Sequence, residues 1–507
     1  MADTLTFLKN AYSSCLLIFS IVLLSGLIFA RQTPLSTEIH PAIAYLILWI
    51  AIAWLSVVEG AQASFVGLAP VNRELYEESH PLAFKCTSHC HSGDNLRRYL
   101  LGRQFMVVLF VFTVNLAGTP LPGAELWGLP QVVVDIFLVS SVAMILFTCM
   151  VGQLNSQVNA ALCMLDYINS WTSLLSLYVA MIIEFSGILH VSYLIQTLAL
   201  TVYGKKVESF EEDRNMVQNV FFWFRVAMST ALLCFSLAVT LEALFLEQTI
   251  MWDGTRGWGT LVLLFALMSV VGWLEGMQIA FFGVAKLPPS QRGTSECAKR
   301  TCALLFKGDG RNLASFTIGR QLCVVTFFFI IARITTPNVS DEEENIFGVN
   351  DMTQKFFNTG IFGVIITTLL GSLFWQLLAS AFPIAFLSNP LTYVFLRMCL
   401  FLEATGIASG SWVLATIYKR IANFQRDEEY IGTAEERAKQ NLRDNPAILR
   451  LGPGQPVKLP GFYESRKSLN NLIDLNISFH TIEKSDNLPH EEGEHEGATI
   501  IEESDSV

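Results

Sequence analysis

Ten apolar runs, near 12–30, 41–69, 99–117, 131–153, 170–200, 219–246, 257–285, 315–335, 357–386 and 391–418, limit what this chain can fold into. A run of about 20 apolar residues spans the hydrocarbon core of a bilayer, and an α-helix satisfies its backbone there without outside partners. Strands of a membrane barrel alternate apolar and polar positions, and these runs do not. The charged fraction is 15%, against about a quarter in soluble domains. The pattern predicts an all-α polytopic membrane protein with ten transmembrane helices. Residues 12–30 exceed an ordinary signal-peptide core, and Asp3 interrupts the basic segment that would precede one, so this run is read as the first helix.

The chain is duplicated. Glu59-Gly60-Ala61-Gln62 returns as Glu275-Gly276-Met277-Gln278 at an offset of 216, and Gly67 returns as Gly283. Gly102-Arg103-Gln104 returns as Gly319-Arg320-Gln321 at 217, with Asn95-Leu96 matching Asn312-Leu313. Further on, Gln153-Leu154 matches Gln376-Leu377 at 223, and Glu184 and Gly187 match Glu403 and Gly406 at 219. These identities divide the chain into a first five-helix repeat at 1–218, a second at 219–418 and a polar tail at 419–507. An odd number of crossings per copy predicts that the second copy enters the membrane from the opposite side, an inverted repeat. A re-entrant segment hidden within 131–204 would change that count.

Ionisable residues inside apolar helices are costly and by default mark a substrate or ion path. Glu59 and Gln62, at i and i+3, share one helix face, as do Glu275 and Gln278. Glu59 lies roughly 15 Å from its helix end at 1.5 Å per residue, near the bilayer midplane. The small residues around each motif (Ser56, Gly60, Ser64, Gly67; Gly272, Gly276, Ala280, Gly283) fit close helix packing. Packing does not account for a paired Glu and Gln. Gly-Arg-Gln is expected to open the third helix of each half, leaving free N–H groups at its start. Arg103 and Arg320 there either pair with Glu59 and Glu275 or extend toward the headgroups. Gln104 and Gln321 gain nothing from an apolar setting unless hydrogen-bonded.

Two copies of Glu-Gly-x-Gln followed by Gly-Arg-Gln, in two fused five-helix halves, resemble the silicon transporters of diatoms, over roughly residues 12–430. Cys163-Met164-Leu165-Asp166 is similar to the CMLD motif of that family. The resemblance implies sodium-coupled uptake of orthosilicic acid across the plasma membrane, with an intracellular vesicle membrane as a second location. Its chemistry agrees with the residues. Orthosilicic acid is a small neutral polyol whose hydroxyls donate and accept, and Gln amides do both while Glu carboxylates accept. Glu59, Gln62, Gln104, Glu275, Gln278 and Gln321 are therefore the expected substrate ligands. Sodium is expected to take oxygen ligands, by analogy with other hard cations. Glu184, Glu403, Asp135, Asn155 and Asn159 are available, with the duplicated Glu184 and Glu403 preferred. The coiled coil described for the family is not supported by the apolar spacing near 422–443, where a short helix is expected. A homo-oligomer is left open.

Other features point less far. The loop Cys86-Thr87-Ser88-His89-Cys90-His91, with His80, is dense in zinc ligands. Its spacing departs from a zinc finger, and the matching loop offers Cys297 and Cys302 without histidine, so no metal is assigned. Cys297 and Cys302 could form a disulfide in an extracellular loop. Cys15, Cys149, Cys163, Cys234, Cys323 and Cys399 read as small buried hydrophobes.

In an inverted layout loop 71–98, with Arg73, Lys85, Arg97 and Arg98, and the tail start Lys419-Arg420 lie on one face, against Lys286, Arg292, Lys299, Arg300, Lys307 and Arg311 of loop 286–313 on the other. The positive-inside rule then gives almost a tie, and both termini inside is preferred. The sequon at Asn338-Val339-Ser340 would then lie inside. The net charge of −11 owes a share to the acidic stretch from Glu491 to Asp505. No basic, aromatic-rich patch suggests nucleic acid. A carrier of another small polar solute such as borate remains an alternative. An aquaporin-type channel needs two Asn-Pro-Ala motifs, and here there is one Asn389-Pro390-Leu391. Protease or nucleotide-binding signatures are missing, so neither an enzyme nor an ATP-driven pump is expected.

Overall fold

The computed structural model describes residues 2–437, apart from 122, 203–213, 252–255, 309, 340–343, 434 and 435. The acidic tail beyond Leu451 lies outside these residues. The first half contains α1 (Ala2–Phe29), α2 (Pro41–Leu68), α3 (Asn95–Gly118), a bent α4 (Gln131–Val139 and Val142–Leu162), α5 (Trp171–Phe185) and α6 (Val191–Val202). The second contains α7 (Met216–Phe245), α8 (Gly257–Ala285), α9 (Arg311–Thr335), α10 (Ile361–Ala381), α11 (Pro390–Ala404) and α12 (Gly410–Ala422). Local chemistry fixes several starts. His40 caps α2 through its ring and Pro41 follows at the first helical position. Asn215 and Gln218 form a capping box on α7.

Among the described residues seven helices are long and apolar enough to cross a membrane, and eight if α4 is taken as one span bent by 47°. That is four per half. The expected fifth spans, 170–200 and 391–418, are each broken in two. Gly187 and Gly406 stand at the breaks with φ of +86° and +87°, a conformation that excludes most side chains.

The broken pair of the second half does not cross. Its entry is tied to the loop after α8, where Ser295 Oγ donates to Ser388 Oγ at 2.9 Å. Its exit is tied to the same end, because Lys286, which follows α8, sits 3.0 Å from Asp427. The chain goes in as α11, turns at Gly406 and comes back as α12.

This reverses the expected direction of the repeat. The segment 424–431 touches both duplicated loops at once. Asp166 accepts from the Gln425 N–H at 2.6 Å and from His80 of the first loop at 3.1 Å, while Lys286 opens the second loop. The α2 and α8 ends also meet side by side: a Cβ added to Gly67 would lie 3.7 Å from the Phe282 oxygen, and one on Gly283 4.0 Å from Val66. At the opposite end, the α1 and α3 ends join through Leu121 N–H to Gln32 O, and the α7 and α9 ends through Asn338 N–H to Gln248 O. The two copies therefore point the same way, as parallel repeats about an axis along the bundle. Four crossings per copy restore the starting side; five would not have done so.

Cysteines placed at Ser79 and Ser295 should accordingly react with an impermeant maleimide from one and the same side of the membrane. Reaction from opposite sides would refute the parallel arrangement.

Around the end of α12 the chain is polar and largely exposed over 420–430, but it is anchored at Asp427 and Ile431. Asp427 is fully buried, accepting from the Leu165 N–H at 2.9 Å and pairing with Lys286, and a short helical turn spans Glu428–Ile431; part of the helix expected near 422–443, from 438 on, lies outside the described residues. Burial alone would push the Lys286 ammonium down, but Asp427 and Glu428 outweigh it and hold the group above its ordinary value. Truncation after Leu451 spares these contacts and should leave uptake per folded molecule nearly unchanged, whereas truncation before Gln425 should destabilise the protein. Equal behaviour of the two truncations would show the anchor to be unimportant.

Candidate functional site

The residues singled out by the duplication meet in the middle of the bundle. Glu59 on α2 sits 2.8 Å from Arg103 on α3, and Arg103 donates to Gln104 at 2.6 Å. The Gln104 carbonyl also accepts from the Gln376 amide of α10 at 3.0 Å, and that amide donates to Glu275 at 2.8 Å. Glu275 on α8 sits 2.9 Å from Arg320 on α9, which donates in turn to Gln321. The Gln157 amide of α4 donates to Gln321 at 3.4 Å and back to Glu59 at 2.7 Å. The chain of contacts closes on itself: a ring of side chains shared by both halves.

Every member of the ring is buried, none more than 4% exposed. Two carboxylates and two guanidiniums cancel, so the ring carries no net charge. Both arginines pair with the glutamates and do not extend toward the headgroups. Such buried pairs gain from further hydrogen bonds, and the glutamines supply several of these, although the Nε atoms of Arg103 and Arg320 stay without a partner.

Gly102 and Gly319 explain how the arginines are aimed. Helices α3 and α9 start at Asn95 and Arg311, so Gly-Arg-Gln lies inside each helix and does not open it, and no free N–H groups are presented there. The glycines serve close packing: a Cβ at Gly102 would overlap the Ala180 carbonyl of α5, and one at Gly319 the Cys399 carbonyl of α11. Each broken helix thus wedges against the helix that carries the arginine.

Gln157 was missed in the sequence because the match of Gln153-Leu154 to Gln376-Leu377 set the offset one turn wrong. Structurally the offset is 219 throughout this region. Thr148–Leu154 and Thr367–Leu373 are both π-helical, and Gln157 and Gln376 follow them at the same position. The offset shared by Glu184 and Glu403 carried that signal. Gln153 instead accepts from the Gln321 amide at 2.6 Å, and its counterpart Ser372 accepts from Gln376 at 3.0 Å. π-Turns frequently mark functional sites, since they rotate the following side chains out of helical register.

Gln62 and Gln278 are each 1% exposed, and neither amide oxygen nor nitrogen has a hydrogen-bond partner. Four unpartnered amide atoms on the two faces that carry Glu59 and Glu275 are unused binding capacity, because burying such groups unsatisfied costs about 1–3 kcal/mol each.

The oxygen donors expected for sodium do not gather. Glu184 accepts from Tyr193 at 3.0 Å and lines one cavity, while Glu403 accepts from Trp412 at 3.1 Å and lines another. Beside them the carbonyls of Phe185 and Ala404 accept from Arg225 and Lys9. Asp135 is exposed and bound by Gln131 at 2.9 Å. Asn155 and Asn159 share a helical turn, Asn159 reaching the Asn155 and Ala415 carbonyls.

The remaining motifs hold the loops together. Cys163 breaks the chain after α4, so that Leu165 and Asp166 reach the anchored segment. In the first loop His80 binds Asp166 and His91 binds the Phe65 carbonyl at 2.8 Å. Burial pushes the Cys86 thiol up to about 12, which suits a packed thiol. Cys297 and Cys302 are free thiols on one short helix, Glu296–Leu305, five positions apart and so on different faces. Asn389 caps α11 through Leu391 N–H at 2.9 Å.

No curated protein and no solved structure matches the chain. A family model described as silicon transporter matches residues 1–496, nearly the full length. The sequence motif, its duplication and the charge-balanced ring all fall inside that match, and the chain belongs to the silicon transporter family, a family of multi-pass membrane transporters and not of enzymes.

Proposed function

We propose that this protein takes up orthosilicic acid across the plasma membrane in company with sodium, by alternating access of its two halves. The observation that carries the reading is the composition of the ring along the seam between the halves. Both ion pairs lie within a half: Glu59 with Arg103, Glu275 with Arg320. Every ring contact between halves is amide to amide, joining Gln104 to Gln376, and Gln321 to Gln157 and Gln153. A neutral polyol can replace amide–amide hydrogen bonds one for one, and its hydroxyls can use the unpartnered Gln62 and Gln278. Parting the halves then breaks bonds worth about 0.5–1.5 kcal/mol each and leaves no charge unpaired. A net-neutral ring also discriminates against ionised solutes.

Sodium supplies the driving force in this reading. Glu403 suits it better than Glu184, whose cavity is crowded with arginines. Both loops and the α12 end place Arg73, Lys85, Lys299, Arg300, Lys419 and Arg420 at one end of the bundle, against Arg31, Arg256 and Lys355 at the other. The positive-inside rule puts the first end in the cytoplasm, with Asn338 outside.

The test is uptake of silicic or germanic acid by the purified protein in liposomes, with and without an inward sodium gradient. Gln104→Leu and Gln321→Leu should each raise the half-saturating concentration roughly threefold to tenfold in well-folded protein. Unchanged half-saturation in both would remove the ring from the substrate site, and uptake indifferent to sodium would remove the coupling.

A further inference from the structure

The two cavities beside the broken helices are repeat mates that have diverged. In the second half the cavity around Glu403 has a volume of about 350 Å³ and holds Lys9 and Arg311. In the first half the cavity around Glu184 measures about 660 Å³ and is lined by Arg97, Arg98, Arg214 and Arg225, against Asp94 and Glu184. At the offset of the third helices, Arg97 and Arg98 correspond to Ala314 and Ser315. Arg225 matches Lys9, each donating to a carbonyl of the other half's broken helix, whereas Arg97 and Arg98 are no part of the machinery common to both halves. They serve something one half does and the other does not.

From this divergence we infer that the first-half cavity is a binding site for a phosphate group, as carried by an anionic lipid headgroup or by free phosphate. Guanidinium groups match phosphate oxygens in geometry and charge. Arg97 is bound to Asp94 at 2.5 Å, and Arg225 to the Phe185 carbonyl at 3.1 Å, which fixes both in place. Arg97 lies 5.4 Å from the Tyr193 ring centroid and Arg214 4.0 Å from that of Phe222, so aromatic faces hold the guanidiniums at the cavity wall. His190 is 1% exposed and lines the same cavity with its Nδ1 unpartnered, as are the buried Nε atoms of Arg97 and Arg225. A phosphate oxygen would accept from the two guanidinium Nε–H groups. On the rim Ile182 and Phe185 are 68% and 66% exposed, apolar surface on which acyl chains can lie.

The full-length protein in neutral detergent, titrated with short-chain phosphatidylglycerol, phosphatidylcholine and inorganic phosphate, tests this. Phosphatidylglycerol should bind saturably and phosphatidylcholine should not. Arg97→Gln and Arg214→Gln should each weaken that binding by about tenfold or more, the scale of one charge-assisted hydrogen bond. Lys299→Gln removes an exposed charge from the same end of the bundle and should leave the affinity as it was. Inorganic phosphate binding as tightly as the lipid, with the same loss in the arginine variants, would support the site and identify a soluble ligand. Arg214 is exposed and its replacement does not disturb the core, so that variant stands if Arg97→Gln misfolds. The inference is overturned if neither anion binds saturably, if the arginine variants bind like the parent, or if Lys299→Gln loses as much.

Discussion

Glu59→Gln and Glu275→Gln are each expected to abolish measurable uptake and to lower the stability of the protein by roughly 3–5 kcal/mol, the cost of leaving one partner of a buried ion pair uncompensated. Arg103 and Arg320 are 1% exposed, so neither can relax into water once its carboxylate is gone. The glutamine that replaces Glu59 can still accept from Gln157, which isolates the charge from the hydrogen bond. Thermal unfolding in lipid nanodiscs reads the stability, and liposome uptake reads the function. The double variant Glu59→Gln with Arg103→Met removes both charges and should regain much of the lost stability without regaining uptake. Single variants as stable as the parent would mean that the pair is not held in a water-poor site.

The second large effect is expected at Gly102 and Gly319. Alanine there should be gravely disruptive, although alanine favours a helix over glycine by about 1 kcal/mol. The added methyl would overlap the Ala180 or Cys399 carbonyl oxygen, which belongs to a helix backbone and cannot swing aside. Overpacking of this kind costs about 1–3 kcal/mol or more, and here it also tilts the helix that carries the ring's arginine. Gly283→Ala is the control: its nearest neighbour would lie 4.0 Å away, so uptake should survive. Normal uptake by Gly102→Ala would show that α3 and α5 can separate without cost to the site.

Much of this site was written in the residues. Carboxylate, arginine and amide at fixed spacing, repeated once, name most of the ring without any coordinates. Direction was not legible, for a physical reason. Hydropathy measures apolar length, and a helix pair that enters and returns has the same apolar length as one that crosses. Gly187 and Gly406 were visible as a duplicated pair, but a glycine in an apolar run does not announce a positive φ. One uncounted reversal per half is enough to change an inverted repeat into a parallel one. Gln157 was lost to a different effect. Gln153-Leu154 offered a two-residue identity one helical turn away, and a slip of one turn keeps a residue on nearly the same face. For the sodium donors, residue type, and for Glu184 and Glu403 duplication, carry no information on whether side chains converge.

Same-facing copies have a consequence for how such a protein can be divided. A unit with four crossings inserts with the same sidedness whether it is made alone or fused to its twin, so two separate half-chains would meet in the membrane already correctly oriented. Neither could complete the site by itself, because the amides of Gln104 and Gln321 each close onto the other half. Two first halves brought together about a two-fold axis, as in a cyclic dimer, would present Gln157 of each to Gln104 of the other, the arrangement that Gln157 and Gln321 show here. The fused chain is, in symmetry terms, a covalent dimer whose two cavities differ, as those of a strict two-fold dimer do not.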